Sequence, residues 1–264
     1  MIKVSINGVE RTLDKSCSIG ELVADFDVFV RNGYGITKDS IVEDGDKIIA
    51  VKKGKMVSNE SLRKMLNARN GEYVTSSLEN ACVCVCGLGG LGSNIACMLA
   101  RLGVGKLILI DYDIVDLTNL NRQNYFISDI GCYKTEAISK QLKNINPYVQ
   151  IVTHNLYVDS ENILHIIDNC NVVIEAFDNP ICKAELVNSI LQNTDKYIIA
   201  SSGMAGYGSS NEIKTAKYLS RLYVAGDSVT EAREGVSLMS PRVNICAGHM
   251  ANMALRILLG EFEA

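Results

Sequence analysis

From residue 80 onward the chain alternates between short apolar, β-branched runs and longer runs whose apolar positions recur every three or four residues. The short runs predict strands at Ala81–Cys86, Lys106–Asp111, Val149–His154, Val172–Ala176 and Tyr197–Ser201. The longer ones predict helices at Leu91–Leu102, Lys134–Ile145, Ser160–Asp168, Pro180–Gln192 and Arg242–Leu259. Such alternation implies an α/β fold with a mostly parallel sheet and helices on both faces. Glu212–Lys214 and Leu222–Ala225 are expected as late antiparallel strands.

The first 55 residues follow another pattern. Ile2–Ile6 alternates as a strand, Asn7-Gly8 is a two-residue hairpin turn, and Val9–Leu13 returns. Ser18, with Glu21 completing a capping box, predicts a helix over Ile19–Phe26, and Asp44-Gly45-Asp46 leads into a strand at Lys47–Val51. Hairpin, helix and late strand predict a small β-grasp-like domain at 1–55. Residues 56–79 are expected as a helical connector, with a helix over Glu60–Arg69 broken at Asn70-Gly71, and 80–264 as one larger α/β domain.

Hydrophobic residues make up 47% of the 264, enough for a substantial core, and the net charge of -4 argues against a broad nucleic-acid-binding surface. No apolar run reaches the roughly 18 residues of a membrane span and no signal peptide is visible, so a cytoplasmic protein with neither membrane nor nucleic-acid partner is expected. Nine cysteines occur without a single Cys-x-x-Cys pair, so no structural zinc is expected. Cys82, Cys84 and Cys86 alternate along one strand and read as small buried residues sharing a face.

The chemistry begins at Gly87-Leu88-Gly89-Gly90-Leu91-Gly92, between an apolar strand and an apolar helix. Glycines let the backbone turn tightly beside a phosphate, and the helix N-terminus supplies unpaired N–H groups; this is the turn of a Rossmann-like nucleotide site. Asp111, ending the second strand, suits ribose hydroxyls. Asp113 and Asp116 read as solvated loop charges. A dinucleotide enzyme would enter a helix soon after the ribose acid, but here a polar loop carries Asn119, Asn121, Arg122 and Gln123. Arg122 has the planar donor fork that suits phosphate, and Lys134 opens the next helix within reach of a triphosphate. Asp178 follows an apolar strand, where such sheets place ligands; its bland alternative is a cap for the helix beginning at Pro180.

Taken together, Gly87–Gly92, Asp111–Gln123, Lys134 and Phe177-Asp178-Asn179 resemble the ubiquitin-activating-enzyme-like adenylyltransferases. The similarity is greatest to those that activate the thiamine and molybdopterin sulfur carriers, and Asn119–Gln123 with Gly203–Gly208 points to the short thiamine type. The resemblance implies that ATP and Mg²⁺ adenylylate the C-terminal glycine carboxylate of a small ubiquitin-like sulfur carrier for thiazole synthesis, releasing pyrophosphate, in a homodimer. It further implies that Gly87, Gly89, Gly90, Gly92 and Asp111 bind the nucleotide. Asn119, Arg122 and Lys134 would contact phosphate, Asp178 would hold Mg²⁺, and Arg69 (in preference to Arg63) would reach a partner subunit's site.

Residues 1–55 resemble the sulfur carriers themselves, notably at Glu43–Ile48, but Lys52-Lys53-Gly54-Lys55 runs on where a carrier ends in free Gly-Gly. Docking, regulatory, dimer-building and purely structural roles stay open for them. Some relatives link a cysteine to the carrier; Cys182 and Cys246 are available, with inert packing the plainer reading. Gly203–Gly208 is expected as a mobile element touching the carrier tail. His154, His165 and His249 fall in separate elements with no catalytic pairing. The alternatives are a tRNA threonylcarbamoyl-adenosine dehydratase-like enzyme, a non-catalytic nucleotide-binding scaffold, and an NAD oxidoreductase.

Overall fold

The computed structural model describes residues 1–55 and 58–264, so the start of the expected connector, residues 56 and 57, lies outside the described residues. The chain divides into two compact units, Met1–Ser76 and Ser77–Ala264.

In the first unit, β1 (Ile2–Ile6) and β2 (Val9–Leu13) form the hairpin that Asn7-Gly8 dictates, both turn residues having positive φ (50° and 77°). The Asn7 amide also pairs with Ala50, accepting from its N–H at 2.8 Å and donating to its carbonyl at 2.9 Å. Ser18 and Glu21 form the capping box, but α1 is only Ile19–Leu22. The expected continuation to Phe26 fails because Val23 leaves helical geometry (φ −140°, ψ 57°). The chain then enters two strands that the sequence reading missed, β3 (Val28–Arg31) and β4 (Tyr34–Ile36), joined at Asn32-Gly33. With β5 (Lys47–Val51) the sheet order is β2-β1-β5-β3-β4. Val4, Ile6, Ile19, Phe29, Val42 and Ile48 fill its core. Next come α2 (Asn59–Asn70), capped by Ser58 and ended by Gly71, and α3 (Glu72–Glu79), within which the first unit ends.

The second unit is built on seven strands: β6 (Cys82–Cys86), β7 (Lys106–Ile110), β8 (Gln150–His154), β9 (Val172–Glu175), β10 (Tyr197–Ser201), β11 (Lys214–Leu219) and β12 (Leu222–Gly226). Their order is β11-β12-β10-β9-β6-β7-β8, all parallel except β11. Two late elements differ from expectation. Ser210–Glu212 is a short 3-10 turn, with the strand beginning at Lys214, and β12 runs parallel to β10, being antiparallel only to β11.

The helices are α4 (Gly90–Leu102), α5 (Lys134–Ile145), α6 (Asn162–Ile166), α7 (Pro180–Asn193) and α8 (Ser240–Leu258). The alternation of β6 sets its two faces. Cys82, Cys84 and Cys86 share a core with Ile163 and Ile167 near α6 and with Leu186 and Ile190 of α7, while Val85 points at α4, which packs on α8. From β6 the chain moves outward to β7 and β8, then crosses to β9 on the other side. The resulting switch point opens a crevice at the C-terminal ends of β6 and β9, where open α/β sheets bind ligands.

Candidate active site

At that crevice lies a cavity of about 590 Å³ lined by the glycine turn and by residues following β7, β9 and β10. The turn is glycine for distinct reasons. Gly87 has φ 91°, and a Cβ there would meet the Ala176 carbonyl oxygen at 2.7 Å. A Cβ on Gly92 would lie 1.8 Å from the Gly87 oxygen, so Gly92 serves helix–strand packing and does not line the cavity. Gly89 and Gly90 do line it. Gly89 is the N-cap of α4 and no side chain caps the helix, which leaves first-turn N–H groups facing the cavity end of the helix.

Asp111 is half bound by its own surroundings: Oδ2 accepts from the Leu88 N–H at 2.6 Å and Oδ1 from the Asp113 N–H at 2.8 Å. Burial pushes its carboxyl up, against the pull of Lys134 and of these N–H groups. Lys134, nearly buried at the start of α5, places Nζ 2.7 Å from Asp113 Oδ2. Asp113 therefore belongs to the site, where it orients the lysine. The guanidinium of Arg122 lies along its own loop, Nη1 donating to the Thr118 carbonyl (3.2 Å) and to Asn121 Oδ1 (2.9 Å), with its buried Nε unpartnered among the described residues. Asn119 departs from expectation. Its amide is used in a capping box with Asp116, donating to Asp116 Oδ2 at 3.0 Å, and it does not line the cavity.

Asp178 is exposed at the cavity and, among the described residues, has no hydrogen bond or ion pair. The helix cap beside it is Asn179, whose Oδ1 accepts from the Ile181 and Cys182 N–H groups. Cys182 lines the cavity with its sulfur 3.0 Å from the Tyr157 hydroxyl, a contact that pushes Tyr157 up to about 12. Cys246 is fully buried in α8. Arg69 is exposed in the last turn of α2, in the first unit, and is not among the residues gathered here.

Two clusters were missed at the level of sequence. Lys183 lines the cavity and pairs with Glu175, whose side chain is 0% exposed; a glutamate ending a wholly apolar strand was the available signal. Arg242, buried in α8, bonds Asp227 Oδ2 (2.5 Å), Glu212 Oε2 (3.1 Å) and the Ser209 carbonyl (3.2 Å). Asp227 in turn accepts from the Val229 and Thr230 N–H groups, and Thr230 accepts from the Ala205 N–H. Instead of hanging free, Gly203–Gly208 is thus tied down at Ala205 and again at Gly206, whose N–H donates to the Ser237 carbonyl at 2.9 Å. No group of three or more His, Cys, Asp or Glu among the described residues could hold a metal ion, and none of their helices is long and apolar enough to cross a membrane.

Residues 62–264 match the model of the ThiF family. The chain belongs to that family. Residues 2–54 match the ThiS-like ubiquitin model. Among relatives of this ThiF-family chain, "Adenylyltransferase and sulfurtransferase UBA4" of Scheffersomyces stipitis is 27% identical over 70% of this chain and 43% of its own length. "Adenylyltransferase and sulfurtransferase MOCS3" of Aedes aegypti is 32% identical over 54% of this chain and 32% of its own. The chain thus spans less than half the length of these curated relatives. In fold it is similar to the E. coli tRNA N6-threonylcarbamoyladenosine dehydratase crystallised with ATP (TM-score 0.70, 21% identity, covering 78% of this chain and 98% of that one).

Proposed function

We propose that the chain adenylylates the C-terminal glycine carboxylate of a small ubiquitin-like sulfur carrier, using ATP and releasing pyrophosphate. The observation that carries the reading is that one cavity gathers the uncapped N-terminus of α4, Asp111, Arg122, Lys134 and Asp178. The names of the two relatives, each an adenylyltransferase and sulfurtransferase, support it.

In this reading a carboxylate oxygen bonds to the α-phosphorus as the bond from that phosphorus to the bridging oxygen breaks, and the electron pair leaves with pyrophosphate. The attacking carboxylate is already ionised, so positioning and charge neutralisation outweigh proton transfer. Asp111 holds the ribose hydroxyls with the lone pairs that Leu88 and Asp113 leave unused. The α4 N–H groups, Arg122 and Lys134 take the phosphates, Lys134 exchanging Asp113 for a phosphate oxygen. Asp178 would hold Mg²⁺ as a single carboxylate ligand, which suits an ion that is commonly bound through one or two carboxylates together with substrate phosphates. When bound, the ion would neutralise charge on the phosphates. Asn119 contributes by shaping the loop that carries Arg122.

The finer assignment is a carrier of the thiamine type, supported by Asn119–Gln123 and Gly203–Gly208. The ThiS-like unit is not that substrate as it stands, since the chain continues beyond Lys55. Exposed Leu117, Phe126, Ile127 and Ile130 support a homodimer, in which Arg69 would reach the other copy's site. Nine free cysteines suit a reducing cytoplasm. The test is exchange of labelled pyrophosphate into ATP across a panel of Gly-Gly-terminated carriers. Carrier-dependent exchange is expected; ATP binding with no exchange for any carrier would leave a nucleotide-binding scaffold instead.

A further inference from the structure

Lys183 and Glu175 both stand where elementary energetics disfavours them. Glu175 ends β9 with its side chain wholly buried, and Lys183 brings a cation into the first turns of α7, at the positive end of the helix dipole. Each offsets the other. The ammonium lies 3.0 Å from Glu175 Oε1 and 2.8 Å from Oε2, and also donates to the Phe177 carbonyl at 2.9 Å and to Ser201 Oγ at 3.1 Å. Glu175 Oε1 accepts from the Phe177 N–H at 2.6 Å. The peptide groups on both sides of Phe177 are therefore gripped, one by each member of the pair. The next residue is Asp178, which has no such tether of its own among the described residues. The same stretch of backbone forms the wall against which Gly87 turns.

We infer that the Lys183–Glu175 pair is a positioning device that aims Asp178 into the cavity, so that Lys183 governs the metal-dependent part of nucleotide binding without touching the nucleotide's phosphates. The inference rests on the reading of Asp178 as the Mg²⁺ ligand. Lys183 acts through Asp178, as groups behind a metal ligand commonly do. Its contribution should vanish when Asp178 can no longer bind the ion.

The test is calorimetric titration of the full chain with ATP, in saturating Mg²⁺ and again in EDTA, for wild type, Lys183→Met, Lys183→Arg, Glu175→Gln, Asp178→Asn and the double variant Asp178→Asn/Lys183→Met. Lys183→Met should lose about tenfold or more of the Mg²⁺-dependent gain in affinity, the usual scale for removing a group behind a metal ligand, while its affinity in EDTA stays at the wild-type value. The double variant should match Asp178→Asn alone, and Lys183→Arg should recover most of the gain. Glu175→Gln keeps an acceptor for the Phe177 N–H and should show a partial loss, which reads the pair even if Lys183→Met does not fold. Equal weakening with and without Mg²⁺, additive losses in the double variant, or a folded Lys183→Arg as poor as Lys183→Met would each overturn the inference. If Asp178→Asn leaves the Mg²⁺ response unchanged, the assignment of Asp178 falls as well; if it abolishes the response while Lys183→Met does not, only the positioning role falls.

Discussion

Gly89 and Gly92 stand three residues apart and are glycine for different reasons, which separates stability from binding at single positions. A Cβ on Gly92 would sit 1.8 Å from the Gly87 carbonyl oxygen, whereas one on Gly89 would find only Gln123 Nε2 at 3.8 Å. Gly92→Ala is therefore expected to lower stability by about 1–3 kcal/mol or more through overpacking, read as a drop in denaturation midpoint. Gly89→Ala should melt as wild type and weaken ATP binding, because its methyl would occupy the approach to the α4 N–H groups. Arg122→Ala and Lys134→Ala should each cost roughly 10²–10³ in pyrophosphate exchange, the scale of removing one donor from developing charge, with melting profiles retained. The polar loop and the helix start pointed to Arg122 and Lys134, and both line the cavity. What a single sequence did not show is that Asn119, in the same loop, spends its amide on Asp116. Residue type specifies hydrogen-bonding capacity, and only the backbone path decides who receives it.

Whole elements were legible where one period dominates. Five of the seven strands of the larger sheet, β6 to β10, and the helices between them follow from apolar runs, and Asn7-Gly8 fixes a hairpin. Asn32-Gly33 carries the same turn signal, yet β3 and β4 are only four and three residues long and show little alternation. Pairings between elements are invisible along the chain: Glu175 with Lys183 joins a strand to the helix after it, and Arg242 reaches Asp227 and Glu212 from α8. The Arg242 clasp gives a pH prediction. Burial pushes the Asp227 carboxyl up, but hydrogen bonds from Thr230, Val229 and Arg242 overcome this and hold it at about 2, below the ordinary 3.8. A depressed carboxyl stabilises the fold above its unfolded pKa, and that stability disappears as pH falls through the folded value. Wild type should therefore lose stability between about pH 4 and pH 2, and Asp227→Asn should be less stable at neutral pH with a flatter profile over that interval. Denaturant melts across the range read both.

At the scale of the molecule, every cavity-lining residue belongs to the second unit, between Gly87 and Val243. A chain lacking residues 1–55 is accordingly expected to bind ATP with wild-type affinity by calorimetry, which would separate the nucleotide site from whatever the ThiS-like unit does. Its α/β class was readable because parallel strands buried on both sides must be apolar throughout. The bounds of β11 were not, because an exposed edge strand carries little pattern.

Three cations line the cavity, and each already has an oxygen partner from its own chain: Lys134 with Asp113, Lys183 with Glu175, Arg122 with Thr118 and Asn121. The two lysines are neutralised by carboxylates and Arg122 is held by uncharged acceptors, so a singly charged ion such as chloride gains little by displacing those oxygens. In the proposed reading a polyphosphate engages Lys134 and Arg122 together while Lys183 stays on Glu175, so a multiply charged ligand gains where a simple anion does not.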